Sequence, residues 1–161
     1  MRWTAPACQF LSPDMEIDAA EAPIDAWHRE DETSRRLEAI PGIGRITASA
    51  LAASVSDPAV FRSGRELAAW IGLVPKQNST GGKQRLGRIC KQGDPYLRWL
   101  LVAGALSVIR HARRRGTASP RLSGIIARKP TEVAAVASAS NNARRVWAIL
   151  TRGEDYRRAT A

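Results

Sequence analysis

The tetrapeptide Pro-Gly-Ile-Gly at residues 41–44 restricts the fold of this chain more than any other sequence feature. The residue before a proline avoids the α-helical region, so a helix is predicted to end at Ile40. The two glycines allow a tight turn, and a second helix is predicted from about Arg45 to Val55. The tetrapeptide therefore predicts two helices joined by a short turn.

The sequence on either side of this pair also favours helices. Apolar side chains recur every three or four residues over much of the chain, which is the spacing of amphipathic helices. We predict a mainly α domain with a basic glycine-rich loop at 37–156. An irregular N-terminus at 1–13 and a helical linker or arm at 14–36 precede it, and a tail at 157–161 follows it. Pro23 is expected to break or kink the arm.

Capping residues mark where the later helices begin. Ser63 is predicted to cap a short helix, and Asp94, followed by Pro95 at the first helical position, to cap a long one. The predicted elements beyond the turn are a helix ending near Trp70, a glycine-rich loop at 72–93 with a strand-like piece at 86–89, and helices ending near Arg115, at 121–128 and at 130–153.

Charge divides the chain into two parts. Residues 1–40 contain nine acidic and four basic residues, a net charge of −5. Residues 41–161 contain 21 basic and six acidic residues, a net charge of +15. A basic surplus of this size favours a polyanion as the partner of the second part.

Several other classes of protein are disfavoured. The longest apolar stretch falls well short of the roughly 20 residues that a membrane span needs, so no membrane partner is expected. Cys8 and Cys90 lack the spacing of a zinc site or a disulfide scaffold, which fits a cytoplasmic location. The acidic residues beyond residue 40 are isolated, so no carboxylate cluster for two-metal chemistry is expected in this chain.

The turn at 41–44 has a functional and a structural interpretation. Its pattern is that of a helix-hairpin-helix. In this motif the free N–H groups at the start of the second helix, together with the helix dipole, bind a phosphate of the nucleic-acid backbone. Gly42, Gly44 and Arg45 are the predicted contacts. The alternative is a plain corner between two helices, with a glycine after the first.

Basic residues are concentrated between Lys76 and Arg115. This stretch contains ten basic residues and one acidic residue, Asp94. The near absence of acids favours nucleic acid over a merely solvated surface. The predicted contacts in this stretch are Lys76, Lys83, Arg85, Arg88, Lys91 and Arg98. Tyr96 and Trp99 are able to stack on bases, but their places beside two leucines favour packing in the core.

Ser79 lies among glycines and cations in the segment Gln-Asn-Ser-Thr-Gly-Gly-Lys at 77–83. A serine in such a setting is able to attack a phosphodiester, because the cations stabilise the charge of the alkoxide and of the transition state. No histidine lies nearby in the chain to act as a base. Residue types alone therefore favour a polar turn.

About residues 35–156 resemble the C-terminal transposase domain of the IS-one-ten/IS-eleven-eleven family of insertion sequences, and 14–34 resemble the end of its helical linker. The resemblance is carried by IPGIGRITASALAAS, by LVPKQNSTGGKQRLGRICKQGDPYLR and by the tail ARKPTEVAAVASASNNARRVWAILTRGEDY. It implies that Ser79 is the nucleophile, with Thr80 as a second candidate. It also implies that Lys83, Arg85 and Arg88 hold the attacked phosphate or the adjacent nucleic-acid backbone.

In that family an N-terminal RuvC-like domain carries an acidic DEDD site, where Mg²⁺ is expected, and the two domains act as a recombinase guided by a structured RNA. No such domain is recognisable here. Asn141-Asn142 stands where members more often have a lysine, so one basic contact of the family is not assigned to a residue of this chain. The resemblance therefore implies a DNA-binding domain that holds no cofactor and does not transpose alone. Its implied partners are DNA, a guide RNA, and further copies of the chain or a full-length transposase. The alternative is a catalytically silent nucleic-acid-binding protein, either regulatory or RNA-binding and structural.

Overall fold

Helices account for most of the computed structural model, which describes residues 8–78, 86–116 and 119–156. The mainly α fold predicted from the sequence is confirmed. In chain order the elements are α1 (Cys8–Glu30), α2 (Glu32–Glu38), α3 (Arg45–Ser54), a short 3₁₀ turn (Pro58–Val60), α4 (Gly64–Trp70), β1 (Pro75–Gln77), β2 (Leu86–Ile89), α5 (Pro95–Arg115), α6 (Pro120–Arg128) and α7 (Thr131–Arg152).

Two of the three long helices, α5 and α7, pack along each other and form the centre of the core. Four alanines of α7 are fully buried, and their small side chains let neighbouring helices approach closely. Large aliphatic side chains from α2, α3, α4 and α5 fill the remaining space, among them Leu37, Leu51, Leu67 and Leu101, all fully buried. Burial of each such side chain contributes about 1.5–3 kcal/mol, so this packing holds the helices together.

The start of α5 agrees with the sequence prediction. Asp94 Oδ1 accepts hydrogen bonds from the backbone N–H groups of Tyr96 and Leu97, at 2.7 and 3.2 Å. At α4, Ser63 occupies the capping position as predicted, but its side chain makes no capping hydrogen bond. Instead Glu66 Oε2 accepts from the backbone N–H of Arg62 at 2.7 Å, because this carboxylate reaches back over the first turn.

The N-terminal arm differs from the prediction. Helix α1 begins at Cys8, so residues 8–13 are helical rather than irregular, and it continues through Pro23 to Glu30. A proline removes only its own N–H donor from the helix, and Pro23 lies exposed, where water is available to the carbonyl that loses its partner. The break comes at Asp31, whose carboxylate accepts a hydrogen bond from the Ser34 N–H and begins α2.

The strand-like piece predicted at 86–89 is strand β2, and it pairs with β1 as an antiparallel hairpin. Pro75 lies opposite Ile89 and Gln77 opposite Leu86. Two backbone hydrogen bonds extend the pairing of the two strands towards the end of α4: Cys90 N–H donates to the Val74 carbonyl, and Lys91 N–H to the Gly72 carbonyl. Among the described helices, none is both long and apolar enough to cross a membrane.

Candidate nucleic-acid interface

The β1–β2 hairpin carries exposed basic side chains on both of its strands. Lys76 lies on β1, Arg88 on β2 and Lys91 just after β2, and all three are exposed. The predicted site residues Ser79, Thr80, Lys83 and Arg85 lie outside the described residues, in the stretch of chain between the two strands. The hairpin therefore holds both ends of the stretch that contains the predicted nucleophile.

Arg98 is partly engaged within the protein. Its Nη1 donates a hydrogen bond of 3.0 Å to the carbonyl oxygen of Ile71, the residue that ends α4. The side chain thereby ties α5 to the end of α4 at the base of the hairpin. Only the remaining N–H donors of the guanidinium are available to a phosphate.

The turn at 41–44 is held by contacts with α5 and α7. Gly42 has a φ of +88°, which glycine adopts without strain. A Cβ at Gly104 of α5 would overlap the carbonyl oxygen of Gly42, so the two backbones lie in direct contact. From α7, the buried side chain of Asn142 donates a hydrogen bond of 3.0 Å to the carbonyl oxygen of Pro41. Packing therefore accounts for Gly42, while Gly44 is exposed.

Arg45, the first residue of α3, is paired with two carboxylates of α1. Its Nη2 lies 3.0 Å from Glu21 Oε2 and its Nε 2.8 Å from Asp25 Oδ1. The hydrogen bond to Glu21, and then the charge of Asp25, raise the pKa of Arg45. Asp25 Oδ1 is buried and accepts no hydrogen bond from the described residues, so its contact with Arg45 is purely ionic. Acidic groups of the arm thus lie where the sequence predicted a phosphate.

Tyr96 and Trp99 are not in the core, and the prediction that they pack there is wrong. Their exposed fractions are 53% and 64%. Leu97, Leu100 and Leu101 of α5 take the buried face of the helix, and the helical period turns Tyr96 and Trp99 away from it. The rule that neighbours of buried leucines are buried fails because adjacent helical positions are about 100° apart.

A buried polar cluster joins α1, α2 and α3. His28 Nδ1 lies 2.7 Å from Ser34 Oγ and His28 Nε2 2.9 Å from Glu38 Oε2, and Ser34 Oγ also lies 3.3 Å from Ser49 Oγ. The order serine, histidine, carboxylate is that of a nucleophilic triad. Ser34 is fully buried, however, so a substrate has no access to it and the cluster fixes the arm to the domain.

The family resemblance assigns the divalent metal to the acidic RuvC-like domain and not to the segment of the family that this chain matches. Across residues 8–78, 86–116 and 119–156, no three His, Cys, Asp or Glu side chains lie close enough together to hold a metal ion. The carboxylates Glu21 and Asp25 are close to each other, but the guanidinium of Arg45 lies against both. This pair is therefore neutralised by a side-chain cation and is not free to ligate a metal ion.

Comparison with known proteins gives a consistent result. A family model described as transposase IS116/IS110/IS902 matches residues 34–119. The chain is 51% identical over 142 residues to a family 20 transposase of Pseudomonas aeruginosa. It is 40% identical over 150 residues to the transposase for insertion sequence element IS1111A of Coxiella burnetii, and 40% identical over 139 residues to that for IS1328 of Yersinia enterocolitica.

These alignments cover most of this chain but less than half of each relative. They include 88%, 92% and 86% of the chain and 42%, 41% and 42% of the three relatives, in the same order. The chain thus spans about two fifths of the length of these transposases. The resemblance seen in the sequence is confirmed at the level of the family. The chain belongs to the IS116/IS110/IS902 family of insertion-sequence transposases.

Proposed function

We propose that this chain is a DNA-binding domain of an insertion-sequence transposase and acts in DNA transposition in the bacterial cytoplasm. The observation that carries the proposal is the exposed basic hairpin. In the chain, Lys76 precedes the stretch that contains Ser79, and Arg88 and Lys91 follow it. Cations on both strands are suited to hold a phosphodiester beside that stretch.

We further propose Ser79 as the nucleophile, with Thr80 as the second candidate and Lys83 and Arg85 as neighbouring phosphate contacts. The support is the motif at 77–83 together with membership of the transposase family. Attack by the serine oxygen on phosphorus would form a phosphoserine ester and release the DNA 3′ or 5′ oxygen as the leaving group. The cations would stabilise the charge of the transition state.

The metal-dependent part of the reaction is proposed to come from an acidic domain that binds Mg²⁺. Because the family resemblance assigns the metal site to another domain, this chain alone is expected to bind DNA without transposing it. A guide RNA, a second copy of the chain and a full-length transposase are the proposed further partners.

Fluorescence anisotropy with duplex DNA and with a hairpin RNA, each titrated across salt, tests the binding part. If about five phosphates are neutralised, log K against log salt has a slope near −4.5 on duplex DNA. A slope near zero, or no binding at low salt, would show that the basic surface does not bind nucleic acid. Strong RNA binding with no binding to DNA would favour an RNA-binding structural protein.

Replacement of Ser79 tests the chemistry. Ser79→Ala, assayed for strand exchange with a metal-binding transposase domain supplied in trans, is expected to abolish the reaction and leave DNA binding within about twofold of wild type. Thr80→Ala is the matched control and decides between the two hydroxyls. If wild type and both variants all show no strand exchange, the alternative of a catalytically silent nucleic-acid-binding protein is favoured.

A further inference from the structure

Three aromatic side chains lie exposed around the junction of α4 and α5. Trp70 is 40% exposed, Tyr96 53% and Trp99 64%. Tyr96 and Trp99 are three positions apart on α5, so their Cβ atoms are about 5–6 Å apart. The backbone of Gly93 lies against the carbonyl of Trp70, and the chain from Gly93 to Tyr96 spans at most about 11 Å. The backbone of Trp70 therefore lies near the start of α5, the helix that carries the other two rings.

The backbone beneath these rings is firmly held. Asp94 caps α5 through two hydrogen bonds, and Arg98 ties α5 to Ile71 at the end of α4. The ring of Trp70 also packs against Phe61, with centroids 5.6 Å apart. A rigid exposed aromatic surface loses little conformational entropy when a ligand covers it, and such surfaces mark interaction sites.

The basic residues that adjoin the rings in the chain indicate the class of ligand. Arg88, Lys91 and Arg98 precede or separate the two aromatic residues in the chain, and the carboxylate of Asp94 is engaged in the cap. Aromatic rings beside cations are the combination that single-stranded nucleic acid requires, because bases stack on the rings while phosphates meet the cations.

We propose that Tyr96 and Trp99 form a stacking platform for unpaired nucleotides at the base of the basic hairpin. The bases of a duplex are stacked on one another, so only unpaired or splayed nucleotides present a free face to these rings. The inference rests on the proposed function for its phosphate contacts, since Lys91 and Arg88 would hold the backbone of the same strand. It adds that this surface prefers unpaired nucleic acid over duplex.

The test compares Trp99→Ala with wild type on single-stranded DNA, single-stranded RNA and duplex DNA of about 16 nucleotides, near the upper site size of one single-strand-binding fold. Trp99→Ala is expected to weaken single-strand binding between about fivefold and a hundredfold and to leave duplex binding within about twofold. Trp99→Phe is expected to retain most of the single-strand affinity, because a phenyl ring still stacks. Comparison of single-stranded DNA with single-stranded RNA shows which of the two the platform binds more tightly.

Trp27→Ala is the matched control, because Trp27 is also an exposed tryptophan but lies on the acidic arm. Trp27→Ala is expected to change neither the affinity for single-stranded nucleic acid nor that for duplex DNA. Equal single-strand affinity of Trp99→Ala and wild type would overturn the inference while leaving duplex binding, and with it the proposed function, intact. Sedimentation that showed a nucleic-acid-free dimer lost in Trp99→Ala would also overturn it, because the rings would then be buried between two copies. Absence of all binding by wild type would instead overturn the proposed function.

Discussion

Two glycines bring the turn and the helix α5 into backbone contact. Gly104 lies in the middle of α5 with no room for a Cβ beside the Gly42 carbonyl. Gly104→Ala is therefore expected to lower the free energy of unfolding by about 1–3 kcal/mol, because the turn and the helix must move apart. Urea denaturation followed by circular dichroism measures the change.

Gly124 is the control for this substitution. It also lies within a helix, α6, but a Cβ there would meet nothing within 4 Å. Gly124→Ala is expected to raise stability by about 0.5–1 kcal/mol, since alanine favours the helix and no contact opposes it. If both substitutions shifted stability in the same direction, close packing at Gly104 would not be the reason for its glycine.

Asn142 is buried in α7 and supplies a hydrogen bond that the turn needs. It is 4% exposed, donates to the Pro41 carbonyl and accepts at 3.2 Å from Arg145 Nη1. Asn142→Ala is expected to destabilise the protein by about 1–3 kcal/mol, because the Pro41 carbonyl loses this donor and a cavity forms. Thr151→Ala, exposed on the same helix, should stay within about 0.5 kcal/mol of wild type in the same denaturation experiment.

At the scale of elements, two carboxylates of the arm α1 pair with Arg45, the residue predicted to contact a phosphate. Glu21 and Asp25 hold the guanidinium at the start of α3, where the N-terminal N–H groups of the helix have no side-chain cap. The double variant Glu21→Gln/Asp25→Asn is expected to release Arg45 to a phosphate. The salt dependence of duplex binding, as log K against log salt, should then steepen by about 0.9.

Removal of two negative charges by itself strengthens binding to a polyanion, so a charge-matched variant is needed. Asp18→Asn/Glu30→Gln removes two exposed carboxylates from the same helix and leaves the Arg45 pairs in place. It should raise affinity without adding a phosphate contact, so its slope should stay that of wild type. Equal slopes for the two double variants would show that Arg45 only anchors the arm.

Which elements form was largely predictable, because capping residues, prolines and helical periodicity act locally. The ends of α3, α5 and α7 lie within about two residues of their predicted positions. The continuity of α1 through Pro23 was not predictable, because a proline costs one hydrogen bond and its tolerance depends on exposure. Strand β1 was missed because it has only three residues and exists through its pairing with β2.

The candidate site was less predictable, since it depends on contacts between distant residues. Basic residues of the hairpin could be named from composition, but the carboxylates opposite Arg45 come from 20 and 24 residues earlier in the chain. The hydrogen bond from Asn142 to Pro41 crosses 101 positions. No periodicity carries such information. The exposure of Trp99 likewise required knowing which face of α5 the core takes.

At the scale of the whole molecule, the core and the basic hairpin occupy different places. The core lies between α5, α7 and the helices packed on them, whereas the hairpin extends from the end of α4 with exposed cations. Exposed residues outside the core contribute little to stability. The structure therefore predicts that nucleic-acid affinity can be removed at the hairpin without unfolding the domain.

We expect the loss of nucleic-acid affinity to depend on where the removed positive charges lie and not only on how many are removed. The triple variant Lys76→Gln/Arg88→Gln/Lys91→Gln is expected to flatten the salt slope on duplex DNA by about 2.7, or 0.9 for each lost phosphate contact, with stability unchanged.

The control is the triple variant Arg113→Gln/Arg114→Gln/Arg115→Gln. These three arginines are exposed and lie at the C-terminal end of α5, about 30 Å along the helix from its start. Both variants lose three of the ten net positive charges. Anisotropy titrations should therefore show the flatter slope only for the hairpin variant. If the salt slope flattened equally in both variants, DNA affinity would depend on the overall charge of the molecule, and the hairpin would not be the binding site.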